Sequence, residues 1–258
     1  MYTKKRSGLL KTDLKNAIFE SVRQSILDIN NIGIAFSGGV DSALLAGVCR
    51  NLEANVILLT VGFSNSHDIV YSKLISSKMN MVHMTLEITY DDFLRTSRRI
   101  QKEITCRNRS HVENCIAFYY VAKLASTYGI KAILTANGFD ELFCGYNSYR
   151  LIFNQGDSYI NKAITDKIAN EFELMSEINQ TIQTFNIHIK QPFLSEKFIS
   201  VAMEIPVSHK IQGSADFLRK HILRKIALSL DVPGDSVIQR KKAFQYGTLI
   251  HKNYKDII

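Results

Sequence analysis

The sequence contains no tryptophan, only three prolines among 258 residues, and no apolar run that approaches the length of a membrane span. A membrane-spanning helix needs about 20 consecutive apolar residues, and the first residues, MYTKKRSGLLKTD, lack the apolar stretch of a signal peptide. With three prolines and thirteen glycines, the chain has no linker rich in these residues, and it has no internal repeat. We therefore expect a cytoplasmic chain that folds as one domain and has no membrane partner.

Paired cysteines are absent as well. The four cysteines are scattered without a CxxC pair, which argues against a zinc ribbon, an iron–sulfur site and a dithiol redox centre.

Acidic residues are outnumbered, 24 against 32 basic residues, so the formal net charge is +8. This balance suits either nucleic acid or a bound polyphosphate. Because the basic residues are spread along the chain instead of forming a tail, we do not expect a nucleic-acid partner.

One junction organises the chain. Residues 32–45 read IGIAFSGGVDSALL, in which an apolar run stops at Ser37-Gly38-Gly39 and a helical pattern follows. Two glycines between a strand and a helix let the backbone approach a ligand closely, and the new helix presents unpaired N–H groups and the positive end of its dipole. The pattern predicts a phosphate cradle. Asp41 would repel a phosphate unless a divalent cation lies between them or the carboxylate caps the helix, so we expect a nucleotide with Mg²⁺. An ordinary strand-to-helix turn would contain the same glycines.

Strand and helix patterns alternate along the first half of the chain. Apolar runs at 54–61, 81–86 and 131–136 read as further strands, and helical patterns lie between them. This alternation predicts an α/β fold with a doubly wound parallel sheet, in which ligands bind beyond the carboxyl ends of the strands. Residues 37–42, 62–67 and 137–146 should therefore share one edge of the sheet.

The third of these stretches carries a second acidic pair, Asp140 and Glu141, directly after a strand. These carboxylates either cap the following helix or join Asp41 in holding Mg²⁺ against phosphate oxygens. The residues alone leave both interpretations open.

Several segments resemble known motifs. Ser37 to Ser42 (SGGVDS) resembles the pyrophosphate-loop signature SGGxDS of the ATP pyrophosphatases, and the lysine of a Walker P-loop is absent. DELFCGY at 140–146 resembles the DELFxGY motif of the asparagine synthetase family. Three later segments resemble further motifs of that family: QPFL at 191–194 resembles VPFLDxxFxxxAM, KHILRK at 220–225 resembles KxxLR, and RKKAF at 240–244 resembles RxKxxF.

The matches keep the family's order over most of the chain, and the resemblance implies a fold of the adenine nucleotide alpha hydrolase type. It implies a nucleotide-binding core over about residues 30–150 and a helical, substrate-side extension over about residues 151–258 of a single domain. It also implies that ATP is cleaved between its α- and β-phosphates.

The resemblance also implies roles for individual residues. Contacts with ATP or its pyrophosphate would come from Ala35, Ser37, Gly38, Gly39, Asp41, Ser42, Val61, Gly62, Thr135, Ala136, Gly138, Lys220 and Arg224. Mg²⁺ would be held by Asp41, Asp140 and Glu141, and Lys242 would stabilise charge that builds up on the acyl-adenylate. A helix predicted over 217–230 places Lys220 and Arg224 on one face, although a solvated basic face would look the same.

Some positions depart from the family's pattern. Asn137 stands where a glutamate is usual, and Ser195 stands where an acidic residue follows the PFL segment. Both positions lie near the acceptor substrate in the family, so the identity of the acceptor stays open. The catalytic amino-terminal cysteine of the glutamine-using enzymes is replaced by Tyr2, and we expect nitrogen from free ammonia, another amine or a separate glutaminase subunit. Residues 156–187 read as a polar helical lid or partner surface, or as a solvated helix pair.

Together these features predict an ATP- and Mg²⁺-dependent ligase that adenylates a carboxylate, such as that of aspartate, and forms an amide with ammonia or an amine. AMP and pyrophosphate would be released. Two alternatives remain: a tRNA-modifying adenylase of the same superfamily, and a non-catalytic nucleotide-binding subunit that partners a glutaminase. A homodimer is also left open.

Overall fold

The computed structural model describes residues 2–104 and 108–255. Its sheet contains five parallel strands in the order β3-β2-β1-β4-β5. The strands are β1 (Ile32–Ala35), β2 (Val56–Phe63), β3 (His83–Ile88), β4 (Ala132–Leu134) and β5 (His188–Lys190). The chain runs outward from β1 to β3 and then returns to the other side of β1, which confirms the doubly wound parallel sheet. The switch in direction lies between β1 and β4, where sheets of this type bind ligands.

Helices cover both faces of the sheet. In the described part of the chain they are α1 (Tyr2–Ile26), α2 (Val40–Asn51), α3 (His67–Met79), α4 (Tyr90–Glu103), α5 (Arg109–Thr127), α6 (Phe139–Leu142), α7 (Ser148–Ile152), α8 (Asp157–Ile182), α9 (Glu196–Glu204), α10 (Val207–Lys210), α11 (His221–Leu228), α12 (Gly234–Ile238), α13 (Phe244–Gly247) and α14 (Ile250–Lys255). Short 3₁₀ turns span Phe153–Gln155, Gln183–Phe185 and Pro192–Leu194.

Two apolar clusters, one on each face of the sheet, form the core. Leu58 packs in the cluster that includes α1, α2, α9 and α11, whereas Leu59 packs in the cluster that includes α4, α5 and α8. Adjacent residues of a strand point to opposite faces, and both leucines are almost fully buried. The continuous apolar run of β2 is therefore buried on both faces of the sheet, as its composition predicts.

The fifth strand was not predicted. β5 comes from the region expected to be a helical extension, and it pairs with β4, with His188 opposite Ala132 and Lys190 opposite Leu134. A strand of three residues at the edge of a sheet carries too few positions for a hydrophobic pattern to appear. The domain division near residue 150 stays a prediction, but the second part of the chain contributes to the sheet.

The helix predicted over 217–230 was wrong at its start, because α11 begins only at His221. Arg219 and Lys220 have left-handed backbones, with φ of 52° and 54°. The carboxylate of Asp216 accepts the N–H groups of Leu218 and Arg219, at 3.1 and 2.9 Å. Aspartate commonly forms turns in this way, in competition with a helix. Lys220 is therefore the residue that precedes the helix, not a member of its face.

Residues 157–182 form a single helix, α8, and not a helix pair. Its buried side is mainly a stripe of isoleucines, of which Ile178 and Ile182 lie in the apolar cluster that includes α5 and the other three lie in the opposite cluster. The stripe consists of Ile160, Ile164, Ile168, Ile178 and Ile182. Spacings of three and four residues place these side chains on one side of the helix. The polar residues of the segment lie mainly on its solvent-exposed side.

The remaining expectations concern cysteines and membranes. Cys49 and Cys144 are buried and form no disulfide, and Cys106 lies outside the described residues. Across residues 2–104 and 108–255, no helix has the length and apolar character needed to span a bilayer.

Candidate active site

The glycine loop between β1 and α2 has a fixed shape. Gly38 has a φ of 77°, in the left-handed region that favours glycine, and its carbonyl accepts a 2.7 Å hydrogen bond from the hydroxyl of Ser236. The hydroxyl of Ser42 donates to the carbonyl of Gly39 and accepts the N–H of Ser37, both at 3.2 Å. The loop therefore ends at the amino terminus of α2 with its backbone held in place, an arrangement suited to an anion.

Two carboxylates from neighbouring strand ends meet beside this loop. Asp41 lies in the first turn of α2 and Asp140 lies in α6, just after β4. The amine of Lys220 lies 2.5 Å from Oδ1 of Asp140 and also contacts Oδ2 of Asp41. The side chain of Lys220 is 1% exposed. The remaining oxygen of Asp41, Oδ1, is buried and has no hydrogen-bond partner among the described residues.

A second lysine, Lys241, contacts the other oxygen of Asp140. Burial acts against ionisation of Asp140, but the charges of Lys220 and Lys241 outweigh it and hold the pKa of the carboxyl well below its usual range. Burial likewise acts against the charge of Lys241, whereas Asp140 and Asp41 raise the pKa of its amine above the ordinary value. The site thus contains a buried carboxylate between two ammonium groups.

Glu141 is occupied as a helix cap. Its Oε2 accepts the N–H of Gly138 at 3.0 Å, and its Oε1 accepts the hydroxyl of Tyr146. Burial and the neighbouring Asp140 raise the pKa of Glu141. These contacts match the capping interpretation for Glu141. A metal contact by Glu141 stays a prediction.

A cavity of about 370 Å³ lies between the sheet edge, α5, α8 and the segment before α13. Of the residues predicted to bind nucleotide or metal, or to catalyse, it is lined by Ala35, Ser37, Asp41, Ser42, Thr135, Ala136, Asp140, Glu141 and Lys242. A smaller recess of about 40 Å³ beside the loop is lined by Ser37, Gly39, Asp41, Lys220, Arg224 and Lys242, among others. The three predicted stretches do share one edge, since Asp140 lines the large cavity with Asp41 and His67 lines the recess with Asp41.

Four residues predicted to contact the nucleotide, Gly38, Val61, Gly62 and Gly138, line neither the large cavity nor the recess. Val61 is fully buried in the apolar core. A Cβ at Gly62 would lie 2.5 Å from the hydroxyl of Ser66, and a Cβ at Gly138, where φ is 102°, would lie 2.6 Å from the carbonyl oxygen of Phe193. Close packing accounts for both glycines, and their contact with a nucleotide stays a prediction.

Arg224 braces the turn that carries Lys220. Its guanidinium donates to the carbonyl oxygens of Arg219 at 2.8 Å and Leu218 at 2.6 Å, and it also donates to those of Val237 and Gln239. The guanidinium thus uses these N–H groups to bind backbone carbonyls. The contact of Arg224 with pyrophosphate stays a prediction.

The sequence interpretation missed Lys241. Lys242, which was assigned the catalytic role, is exposed at the rim, whereas Lys241 is half-buried and reaches Asp140. A signal was present, because RxKxxF can be aligned in two ways: counted from Arg240 its lysine is Lys242, and counted back from Phe244 it is Lys241.

Two further residues near the site were missed. A Cβ at Gly145 would overlap the carboxylate of Asp140 and the side chain of Lys220, so only glycine fits there. Glu171 lies in α8 on the buried side of the helix, within the isoleucine stripe, and it lines the large cavity. The available signal was a glutamate at a position of the buried stripe, since acidic residues are almost never fully buried unless they are paired.

Two residues, Asn137 and Ser195, depart from the family's pattern, and Asn137 lines the large cavity. Ser195 instead caps α9, where its hydroxyl accepts the N–H of Phe198 at 3.3 Å. The substitution at 137 therefore changes the cavity wall, and the residue at 195 acts as a helix cap.

A parallel α/β sheet with an SGGxDS loop at its switch point defines a protein of the pyrophosphate-loop class. The model of one family, described as asparagine synthase, matches residues 13–184 and 169–257. The match covers nearly all of the chain, which belongs to the asparagine synthase family.

Curated relatives agree with this assignment. The chain is 26% identical over 279 residues to putative asparagine synthetase [glutamine-hydrolyzing] 1 of Methanocaldococcus jannaschii, covering 96% of this chain and 51% of the relative. It is 22% identical over 251 residues to asparagine synthetase B [glutamine-hydrolyzing] of Escherichia coli (strain K12), covering 92% of this chain and 45% of the relative. The chain thus spans about half the length of these relatives. A solved structure of NMN synthetase from Francisella tularensis has a TM-score of 0.49 at 15% identity, over 93% of this chain and 77% of that one.

Proposed function

We propose that this chain is an ATP- and Mg²⁺-dependent ligase unit that adenylates a carboxylate and forms an amide with ammonia or an amine. The observation that carries the proposal is the meeting of Asp41, Asp140, Lys220 and Lys241 beside the glycine loop. Cleavage of ATP needs carboxylates that bind a cation and positively charged groups that bind phosphate. Here they stand at one sheet edge, next to a cavity of about 370 Å³.

A magnesium ion fits the donor set. Mg²⁺ prefers oxygen ligands and is commonly held by one or two carboxylates together with substrate phosphates and water. Asp41 and Asp140 would supply the carboxylates, and Oδ1 of Asp41 is buried without a hydrogen-bond partner in the described part of the chain. Within that part, no cluster of three or more His, Cys, Asp or Glu side chains could hold a metal by itself, so the remaining ligands would come from the nucleotide and water. When bound, the ion would offset negative charge that develops on the phosphate oxygens.

The chain's own groups would bind and orient the reactants. The amino terminus of α2 and the loop's backbone N–H groups would hold the β- and γ-phosphates. A carboxylate oxygen of the acceptor would attack the α-phosphorus, and pyrophosphate would leave with the electron pair of the broken P–O bond. Lys220 and Lys241 would stabilise the charge on the phosphates, because their amines already lie within contact of the carboxylates at this point.

The second step would form the amide. A neutral amine or ammonia attacks the acyl carbon, the C–N bond forms, and AMP leaves as the acyl–oxygen bond breaks. The nitrogen loses a proton in the process. We propose Lys241, which reaches Asp140, as the lysine that stabilises this charge; Lys242 remains the motif-based alternative. Ammonia could be supplied freely or by a separate glutaminase.

The test is ATP–pyrophosphate exchange with a panel of amino and non-amino carboxylic acids, followed by measurement of AMP and amide in the presence of ammonium. We expect exchange with at least one acid, and its loss in Asp41→Asn and Asp140→Asn. The control is Asp13→Asn, since Asp13 is exposed on α1. Exchange with no acid would overturn the ligase proposal. Tight ATP binding without exchange would then favour a non-catalytic subunit, and salt-sensitive tRNA binding would favour a tRNA-modifying enzyme.

A further inference from the structure

The small recess beside the glycine loop contains a histidine that the proposed mechanism does not use. His67 is the first residue of α3 and lines the recess. Cationic side chains, including those of Lys220, Arg224 and Lys242, share the wall. The recess has a volume of about 40 Å³, whereas one water-sized group needs about 10–15 Å³. It therefore has room for a group about the size of one phosphate.

The imidazole ring of His67 is held on three sides. Its Nδ1 lies 3.0 Å from Oδ1 of Asp68, and the ring stacks on that of Tyr71, with ring centres 5.1 Å apart. Its Nε2 lies 3.2 Å from the side-chain nitrogen of Gln239. Asp68 is 3% exposed, and a Cβ at Gly247 would overlap its carboxylate. The ring and the carboxylate are therefore both fixed by their neighbours.

The contact with Gln239 sets the direction of these hydrogen bonds. An amide nitrogen only donates, so Nε2 of His67 accepts from Gln239. The proton of the ring is then on Nδ1, which donates it to the carboxylate of Asp68. Burial raises the pKa of Asp68, and the hydrogen bond from His67 acts against that rise. Gln239, His67 and Asp68 thus form one chain of hydrogen bonds that ends at a buried carboxylate.

The other end of this chain lies at the recess. The side-chain nitrogen of Gln239 carries two N–H groups, and its hydrogen bond to His67 is the one that it makes within residues 2–104 and 108–255. Gln239 lines the recess together with Ser37 and Gly39 of the glycine loop. Its second N–H is therefore available to an oxygen atom bound there. Because hydrogen bonds in a chain polarise one another, the buried carboxylate makes this amide a stronger donor.

We propose that Gln239 binds the terminal phosphate group of ATP, and then that of the departing pyrophosphate, and that His67 and Asp68 position its amide. Asp41 lines both the recess and the large cavity, so a triphosphate that passes this residue extends from one into the other. The inference rests on the proposed ligase function and assigns further residues to its pyrophosphate side. Gln239 contacts the phosphate, whereas His67 is a positioning residue that acts through Gln239.

Binding of inorganic pyrophosphate tests this assignment without an acceptor. Isothermal titration calorimetry with pyrophosphate and MgCl₂ compares wild type with Gln239→Met, which has a side chain of similar length but no amide. We expect the Kd to rise by about tenfold, as for loss of one hydrogen bond to a charged group. AMP lacks the pyrophosphate part of ATP, so its Kd should not change. The matched control is Gln155→Met, which changes an exposed residue and should leave both Kd values unchanged.

Variants of His67 separate a positioning role from a structural one. His67→Leu should raise the Kd for pyrophosphate by about threefold or more. Its combination with Gln239→Met should bind no more weakly than Gln239→Met alone, because both changes act on one hydrogen-bond donor. His67→Gln still offers an acceptor to Gln239 and should bind pyrophosphate more tightly than His67→Leu. The control is His188→Leu, which changes an exposed histidine of β5.

The outcomes separate this inference from the ligase proposal. Equal Kd values for pyrophosphate in Gln239→Met and Gln155→Met overturn the inference, as does a wild-type protein that binds no pyrophosphate. ATP–pyrophosphate exchange with carboxylic acids still decides the ligase proposal in both cases. Binding that depends on Gln239 in a protein without exchange supports the inference and overturns the ligase proposal.

Two further results would indicate a general change of structure and would also overturn the inference. One is an equal weakening of AMP and pyrophosphate binding in Gln239→Met, and the other is additive losses in the double variant with His67→Leu. If His67→Leu does not fold, the comparison of Gln239→Met with Gln155→Met still decides, because Gln239 is only half-buried and lies outside the apolar clusters.

Discussion

The amine of Lys220 lies 2.5 Å from Oδ1 of Asp140, and the lysine side chain is 1% exposed. The same amine contacts Asp41, so one buried cation separates two carboxylates from different strand ends. Two neighbouring carboxylates repel each other strongly in a protein interior. Lys220 therefore offsets the repulsion between these two carboxylates.

Removal of Lys220 should destabilise the protein. Loss of one partner from a buried ion pair leaves an uncompensated charge and costs about 3–5 kcal/mol. We expect Lys220→Met to lower the free energy of unfolding, measured with urea, by an amount in this range. Lys225→Met, which changes an exposed residue of α11, should change it little. Addition of Asp140→Asn to Lys220→Met should recover part of the loss, and equal stability of Lys220→Met and Lys225→Met would contradict the role assigned to the lysine.

Adjacent lysines should differ in their effect on catalysis. Lys241 contacts Asp140, whereas Lys242 is exposed at the rim. We expect Lys241→Met to lower kcat for amide formation by about 10²–10³, as for loss of one group that stabilises transition-state charge, and Lys242→Met to lower it by less than about tenfold. Steady-state kinetics of AMP release would compare them. A larger loss in Lys242→Met would support the role that the motif implies for Lys242.

Gly145 should not tolerate alanine. A Cβ there would overlap the carboxylate of Asp140 and the side chain of Lys220. Overpacking of this kind costs about 1–3 kcal/mol, and it should also displace the two charged groups. We expect Gly145→Ala to lower both the free energy of unfolding and the rate of ATP–pyrophosphate exchange. At Gly213 the nearest atom to an added Cβ is 4.0 Å away, so Gly213→Ala should leave both unchanged.

The stability of the protein should depend on the titration of Glu171. Burial, Glu141 and Asp140 raise its pKa to about 8, against the hydrogen bond from Asn137 and the charge of Lys241, and an unfolded glutamate titrates near 4.3. Between these values the folded protein retains a proton that the unfolded chain has lost, so this residue's contribution to the free energy of unfolding falls as pH rises from about 4 to about 8.

Glu171→Gln removes this contribution. Its melting temperature relative to wild type should therefore increase between about pH 5 and about pH 8. The comparison variant is Glu173→Gln, for which the difference should stay constant over the same range. If the melting-temperature difference between Glu171→Gln and wild type does not change with pH, the carboxyl of Glu171 has its ordinary pKa in the folded protein.

Much of the fold could be predicted from the sequence. The runs that form β1 and β2 are continuous and apolar, and the helical patterns predicted between the strands are observed as α3, α4 and α5. Such elements depend on periodicity within a short window, which a single sequence displays. β5 could not be found in this way, because a three-residue strand of His, Ile and Lys exists only through its pairing with β4.

The candidate site was predicted in part. Its loop and the acidic residues Asp41 and Asp140 follow from motifs and from the rule that parallel strands end at one edge. Lys220 was predicted to contact phosphate from the face of a helix, but Asp216 forms a turn that places it before α11. A local hydrogen bond of this kind competes with helix formation, and its outcome depends on the neighbouring fold.

By itself the sequence determined the order of the first four strands and the helices between them, the position of the glycine loop and the family, because each is encoded in residues close together in the chain. Only the tertiary structure decided which lysine reaches Asp140 and which acidic residue of α8 faces the cavity. Those contacts join segments far apart in sequence, and they depend on how α8 and the turn before α11 pack against the sheet. Packing selects among several lysines and glutamates that have the same local pattern.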